Sequence, residues 1–207
     1  MTALDPLAAR AVHVASVRLP EGIQAEAVWN PLEAAVGLQV PTQRWLLRWR
    51  CTRNPLLSTP PEIPGPVASI GLNPSGAGVA RGDMTLNTEF GLYRRWGVRE
   101  FVKLNLFPVI ATYPVDLFFG TGDPSYADYV IAQAVAIHRA GGIVIATWGG
   151  PYGSPIRGTV ADRARAIERG LLAAGVPLHV LGLTRGGEPR HIRGIGRDAR
   201  PVLWRSP

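Results

Sequence analysis

From residue 44 to residue 181 the spacing of apolar positions switches back and forth between strand and helix periods, and each switch marks an expected element. Arg44–Cys51 mixes apolar residues with arginine, as a strand with one buried and one basic face would, and puts Trp45 and Trp49 on the same face as packing residues. Val67–Gly71 is an apolar run of strand type that breaks at Asn73-Pro74-Ser75 into a glycine-rich loop reaching Gly82. Phe90, Tyr93 and Trp96 recur at spacings of three, predicting a helix over Thr85–Gly97 with these rings as its core stripe. Phe101–Phe107 reads as the next strand. Asp123-Pro124 opens a helix, aspartate as N-cap and proline at the first helical position, which stops at Gly141-Gly142. Ile143–Thr147 is apolar almost throughout, the pattern of a strand buried on both faces. Thr159 and Asp162 form a capping box for a helix to about Ala174, and Val176–Leu181, with His179 inside it, is the last clear strand.

Strands alternating with helices predict an α/β domain with an open, mostly parallel sheet and helices on both faces. Residues 54–66 hold five prolines and connect strands of one sheet. Residues 1–43 read as an N-terminal arm packed on a single domain of residues 44–207. Leu4–Val17 is compatible with a short amphipathic helix there.

Composition changes this picture in two places. The chain of 207 residues has a net charge of +7 carried by arginine, with Lys103 its only lysine. Arginine forks grip phosphate, so the balance permits a nucleic-acid partner; a GC-rich genome gives the same bias. More telling is the crowding of Arg185, Arg190, Arg193, Arg197, Arg200 and Arg205 into a basic C-terminal tail. One cysteine, Cys51, excludes an internal disulfide, and no apolar run reaches the length of a membrane span. A cytoplasmic protein with no membrane association is expected.

Several chemistries are excluded by pattern. There is no phosphate-binding G-x-x-x-x-G-K-[ST] loop, and the glycine spacing after Val67–Gly71 is wrong for a dinucleotide fingerprint. One cysteine and four scattered histidines give no zinc spacing, so neither a metal nor another cofactor is expected. Ser75 lacks the context of a nucleophile elbow. What remains is a set of polar residues at successive strand exits. Asn73 and Ser75 come first, with Asp83 and Thr85 beyond them. Asn105 follows at the second exit and Trp148 at the third, and Thr184, Arg190 and His191 come after the last. In a parallel sheet these gather at one edge, where amides, an aromatic face, a carboxylate, a guanidinium and an imidazole suit a planar, hydrogen-bonding ligand such as a nucleobase.

These same segments carry a resemblance. Leu72-Asn73-Pro74-Ser75, Asp83-Met84-Thr85, Arg94-Arg95-Trp96-Gly97, Asn105-Leu106-Phe107, Ala146-Thr147-Trp148-Gly149 and the run Leu181–His191 stand in an order and spacing similar to the DUF1643 family, over roughly residues 44–192. Methionine at 84 and isoleucine at 192 stand where that family often has proline. More distantly, Gly71–Ser75 resembles the G-x-N-P-G element of the mismatch-type and single-strand-selective uracil-DNA glycosylases. That second resemblance implies a three-layer, uracil-DNA-glycosylase-like sheet. It also implies that Asn73 positions a water, Asn105 reads the base edge, and His191 or Arg190 stabilises the departing base. Asp83 would then be the carboxylate facing the sugar, or else an N-cap. Ser75, Thr85, Trp148 and Thr184 would complete the substrate pocket. The expected activity is N-glycosidic bond hydrolysis on DNA; the alternative is a non-catalytic nucleotide or nucleic-acid-binding module. The sequence leaves the oligomeric state and the preferred base open.

Overall fold

The structure is a computed structural model that describes residues 23–30, 42–51, 62–74, 84–111, 117, 122–150, 152–153 and 155–207. Seven strands form one sheet: β1 (Ile23–Trp29), β2 (Arg44–Cys51), β3 (Val67–Gly71), β4 (Glu100–Asn105), β5 (Ile143–Ala146), β6 (Leu178–Val180) and β7 (Val202–Arg205). Their spatial order is β1-β2-β4-β3-β5-β6-β7. Among the described residues three α-helices accompany them: α1 (Met84–Arg95), α2 (Tyr126–Arg139) and α3 (Arg157–Ala173).

The sheet is mixed, which corrects the expectation of a mostly parallel one. β4, β3, β5 and β6 run parallel through the centre, whereas β1–β2, β2–β4 and β6–β7 pair antiparallel. Parallel pairing requires a crossover, and α1, α2 and α3 supply one for each step of the central four strands. The edges need none. The sequence pattern identified neither β1 nor β7, so the antiparallel flanks were invisible to it. β7 keeps Val202 and Leu203 exposed, so no buried face marks its period.

Alternation along the central strands sorts their side chains onto two faces. Ala68, Ile70, Val102, Leu104, Val144 and Ala146 pack with Tyr126, Val130 and Ala134 of α2 and with Val160, Ala164 and Ile167 of α3. Val67, Phe101 and Ile145 point the other way and pack with Leu86, Leu92, Tyr93 and Trp96 from α1 and its C-terminal turn. Phe90 lies at the margin of that second cluster, edge-on to Trp49 with ring centroids 5.0 Å apart.

Three local expectations change. Trp45 and Trp49 do not share a face: Trp45 sits 4.9 Å from the Tyr129 ring on the α2 side, and Trp49 packs on the α1 side. The register between β1 and β2 shifts at Val28/Trp29, opposite the start of β2, and this breaks the alternation that would have put both on one side. Helix α3 begins at Arg157 with Ile156 at its N-cap, so Thr159 lies inside the first turn and Asp162 pairs instead with Arg165 at 2.6 Å. Asp123 is not the N-cap of α2: Ser125 holds that position without a side-chain cap bond, and Asp123 closes the turn ahead of it. Its Oδ1 accepts from the Ser125 backbone N–H at 2.9 Å and from the Ser125 hydroxyl at 2.7 Å, ahead of Tyr126.

His179 of β6 pairs in register with Ile145 and is partly buried. Burial lowers its pKa below the ordinary 6.5; a hydrogen bond to the Val144 backbone opposes this and nearby His138 adds to it. A depressed folded-state pKa means that the unfolded chain takes up the proton first. The contribution is therefore complete above about pH 6.5 and lost as pH falls through the lower folded value. Thermal unfolding at pH 7.5 and pH 5.0 checks this. His179→Gln is expected to lose fewer degrees between the two than the unsubstituted protein; equal losses would contradict it.

Candidate functional site

The chain leaves β3 towards α1 on one face, and leaves the adjacent β5 towards α3 on the other. Where neighbouring strands diverge like this, their carboxyl ends frame a crevice that in open α/β sheets receives ligands. The α1 side of this edge is formed by Ser69 and Gly71 of β3, Lys103 and Asn105 of β4, and Thr147 just past β5.

These residues make one buried polar cluster. Lys103 Nζ donates to Glu89 Oε1 of α1 at 2.7 Å and to Ser69 Oγ at 3.1 Å, with Thr147 Oγ1 at 3.3 Å. The Ser69 hydroxyl is 2.9 Å from both Glu89 Oε1 and Thr147 Oγ1. Thr147 also reaches the Ile70 carbonyl at 3.2 Å, so β3 and β5 are joined by side chains where their ladder ends. Lys103 is 6% exposed and Glu89 is 0%. The Tyr93 phenol lies in the same cluster. Burial first, and then the Glu89 carboxylate, push its pKa well above the ordinary value, with the Ser69 hydroxyl opposing.

At the upper rim the cluster is tight on one side and incompletely satisfied on the other. A Cβ on Gly71 would fall 2.8 Å from Lys103 Nζ and 2.9 Å from Asn105 Oδ1, so only glycine lets both polar groups close in on β3. Asn105 is 2% exposed, and its Oδ1 has no hydrogen-bond partner among the described residues; the same is true of Glu89 Oε2. Buried acceptors without donors are uncommon and costly, about 1–3 kcal/mol each. Two of them in one cluster at the carboxyl end of the sheet mark a place where donors from a ligand would be stabilising.

The structure places the remaining expected residues as follows. Asn73 is partly buried, and its amide donates to the Pro74 carbonyl at 3.0 Å and the Ala111 carbonyl at 2.8 Å. Carbonyls only accept, so this end must be the NH₂, and Oδ1 is left at the opposite side. Asn73 thereby staples the β3 exit to the β4 exit, reinforced by the Ala111 N–H to Pro74 carbonyl bond at 3.1 Å. His191 lies at the β5 exit: a Cβ on Gly149, whose φ is +83°, would fall 3.2 Å from His191 Cβ. His191 caps a short 3₁₀ helix, Ile192–Gly194, with Nδ1 accepting the Arg193 N–H at 3.2 Å. In the neutral ring this leaves the proton on Nε2, which is then a donor. The 3₁₀ helix packs on the α1 side through Ile192, the face that carries Lys103 and Asn105.

Arg190 is exposed and bends over Gly182 and Gly194, with Nη2 3.5 Å from where a Gly194 Cβ would be. Thr184 is tied into its own turn, its hydroxyl accepting the Glu188 N–H at 3.2 Å. Thr85 is in the first turn of α1 and partly buried. Trp148 does not offer an aromatic face to this cluster. It is 1% exposed and packs on the α2–α3 side, edge-on to Trp204 at 5.9 Å. The reason is alternation, since Thr147 and Trp148 must point to opposite faces. Ser75 and Asp83 lie outside the described residues. Among the described residues no group of three or more His, Cys, Asp or Glu could hold a metal ion, and no helix is long and apolar enough to cross a membrane. Cys51 ends β2 partly buried, and burial raises its thiol pKa against the opposing charges of Arg94 and Arg99, which disfavours the nucleophilic thiolate.

Sequence reasoning passed over Lys103, Glu89, Ser69 and Thr147. Two signals were available. Lys103 is the only lysine in a chain that otherwise uses arginine, and it sits in a strand. Glu89 falls on the same helical stripe as Leu86, Tyr93 and Trp96, where a carboxylate must be buried and therefore paired.

The family described as protein of unknown function (DUF1643) matches residues 44–191, a span that includes every residue of this cluster. No curated protein matches the chain. No solved structure matches it either.

Proposed function

Because the chain belongs to the DUF1643 family and the matched span carries the whole strand-end cluster, we propose that this cluster is a nucleobase-recognition site, acting on DNA by N-glycosidic hydrolysis in the cytoplasm. The observation that carries the reading is the buried Asn105 carboxamide, with an orphaned Oδ1 held beside Gly71 at the end of a parallel strand. A carboxamide matches the donor–acceptor edge of a base, and a base drawn out of its stack must be read in a pocket of this kind. The resemblance of Gly71–Ser75 to the glycosylase G-x-N-P-G element supports the same assignment.

Cleaving the bond between base and sugar leaves negative charge on the base and positive charge on the sugar. In this reading the His191 Nε2–H, with Arg190 nearby, stabilises the departing base. Asn73, its NH₂ end fixed by two carbonyls, turns Oδ1 towards the attacking water. Asp83, one residue ahead of α1, supplies the carboxylate opposite the sugar.

One observation favours the non-catalytic alternative. The carboxylate described within the cluster, Glu89, is committed to Lys103 and cannot act as a base without breaking that pair. The deciding experiment incubates the protein with DNA carrying uracil, mismatched or modified bases and scores abasic sites. Release that disappears in Asn73→Ala while binding persists is the expected result. Binding with no release from any substrate would leave a nucleotide-binding module.

A further inference from the structure

The outward face of α1 carries a second feature that the strand-end cluster does not use. While Leu86, Glu89, Leu92, Tyr93 and Trp96 turn inward, Asn87, Thr88, Gly91 and Arg95 form the opposite stripe. With Arg197, from the segment after the 3₁₀ helix, they line an open groove of 540 Å³. Arg95 Nη2 donates to the Arg197 carbonyl at 2.9 Å and so fixes one wall against the other. Neither Arg95 nor Arg197 has a carboxylate partner among the described residues. Arg95 in the last turn also offsets the helix dipole, but Arg197 is not part of the helix and is not explained that way.

Gly91 is the decisive residue. Glycine inside a helix is the poorest choice short of proline and survives where something must come close to the backbone. No described residue does: a Cβ on Gly91 would meet no atom within 4 Å. The clearance faces the groove. An amide and two guanidinium groups around a bare stretch of backbone form a hydrogen-bonding set for phosphate.

We infer that this groove holds the phosphodiester backbone of a nucleic-acid strand whose base enters the strand-end site; the assignment rests on the reading of that site as a nucleobase pocket. The topology sets the direction. Helix α1 runs back against the parallel strands, so Asn87 is nearest the carboxyl edge and Arg95 furthest from it. The two are separated by about 12 Å of helix, the length of three to four stacked nucleotides at about 3.4 Å each.

The test measures binding of a fluorescently labelled single-stranded oligonucleotide by anisotropy, across a salt series, beside thermal unfolding of each variant. Gly91→Ala is expected to raise Tm by a few degrees and to weaken strand binding about tenfold. A glycine with only a structural role would not give that pairing. Arg95→Ala/Arg197→Ala is expected to flatten the slope of log K against log salt by about 1.4, the loss of two phosphate contacts on a single strand. Strand affinity and slope unchanged in both variants would overturn the inference. Displacement of the oligonucleotide by millimolar inorganic phosphate or a mononucleotide, with the same sensitivity to both variants, would also overturn it, by assigning the groove to a small anion. The two readings fail separately. Groove variants that bind the strand normally while base release persists refute the groove alone. Variant-sensitive strand binding with no base release refutes the catalytic reading alone.

Discussion

Replacing Lys103 with methionine is expected to destabilise the fold by about 3–5 kcal/mol, the loss that follows when one member of a buried ion pair is removed and the other is left without a counter-charge. Glu89 is fully buried, and its Oε1 takes hydrogen bonds from Lys103 and Ser69. Without the ammonium, that carboxylate must protonate or drag in water. A second substitution, Glu89→Gln, on the Lys103→Met background is expected to recover most of the loss, because an amide needs no counter-charge. Arginine is not expected to rescue. Lys103 Nζ occupies a space bounded by Ser69, Thr147 and the bare Cα of Gly71, which admits a point charge and not a planar fork. Urea unfolding at unchanged m value reads each effect as a shift in midpoint. A Lys103→Met midpoint equal to that of the unsubstituted protein would show that the pair contributes nothing and that the cluster is wet.

Asn105→Ala should behave in the opposite way: a large effect on the ligand and a small one on the fold. Its Oδ1 makes no hydrogen bond to the described residues, so truncation removes an unsatisfied acceptor instead of breaking a bond. Stability is expected to stay within about 1 kcal/mol of the starting value. Base release, or base-dependent binding in the alternative reading, is expected to fall by about a hundredfold or more, as for the loss of a bidentate base contact worth about 1–3 kcal/mol combined with misplacement of the base. Sites that are strained when empty and effective when filled are the ordinary pattern for function that competes with stability. Parallel measurement of Tm and turnover decides the point. A variant that unfolds readily would show that Asn105 is part of the scaffold, and one that turns over normally would remove it from the site.

The central α/β unit was legible in the chain because its signal is local. The apolar run of β5, the aromatic stripe of α1 and the glycines closing α2 each depend on neighbours within a few residues. The DUF1643 motifs were legible for the same reason, and several of them follow directly on β3, β4 and β5. The edges were not. β1 and β7 are edge strands paired only to β2 and β6, and β7, with Val202 and Leu203 both exposed, has no buried face to announce it. Within the site, sequence reading selected loop chemistry such as Asn73 and His191. It passed over Ser69, Glu89, Lys103 and Thr147, because each looks like an ordinary residue of the element that carries it.

The chain by itself thus determined the order of the central strands and helices, the family, and the edge at which polar residues gather, since periodicity, turn chemistry and motif spacing are all written in consecutive positions. Tertiary structure alone decided which of those residues meet. Sheet order brings β3 between β4 and β5, and this places Gly71 against Lys103 and Asn105, joins Ser69 to Thr147, and sends Trp148 to the far face. Those contacts span dozens of residues, and their partners are chosen by strand pairing and alternation, which no local stretch of sequence encodes.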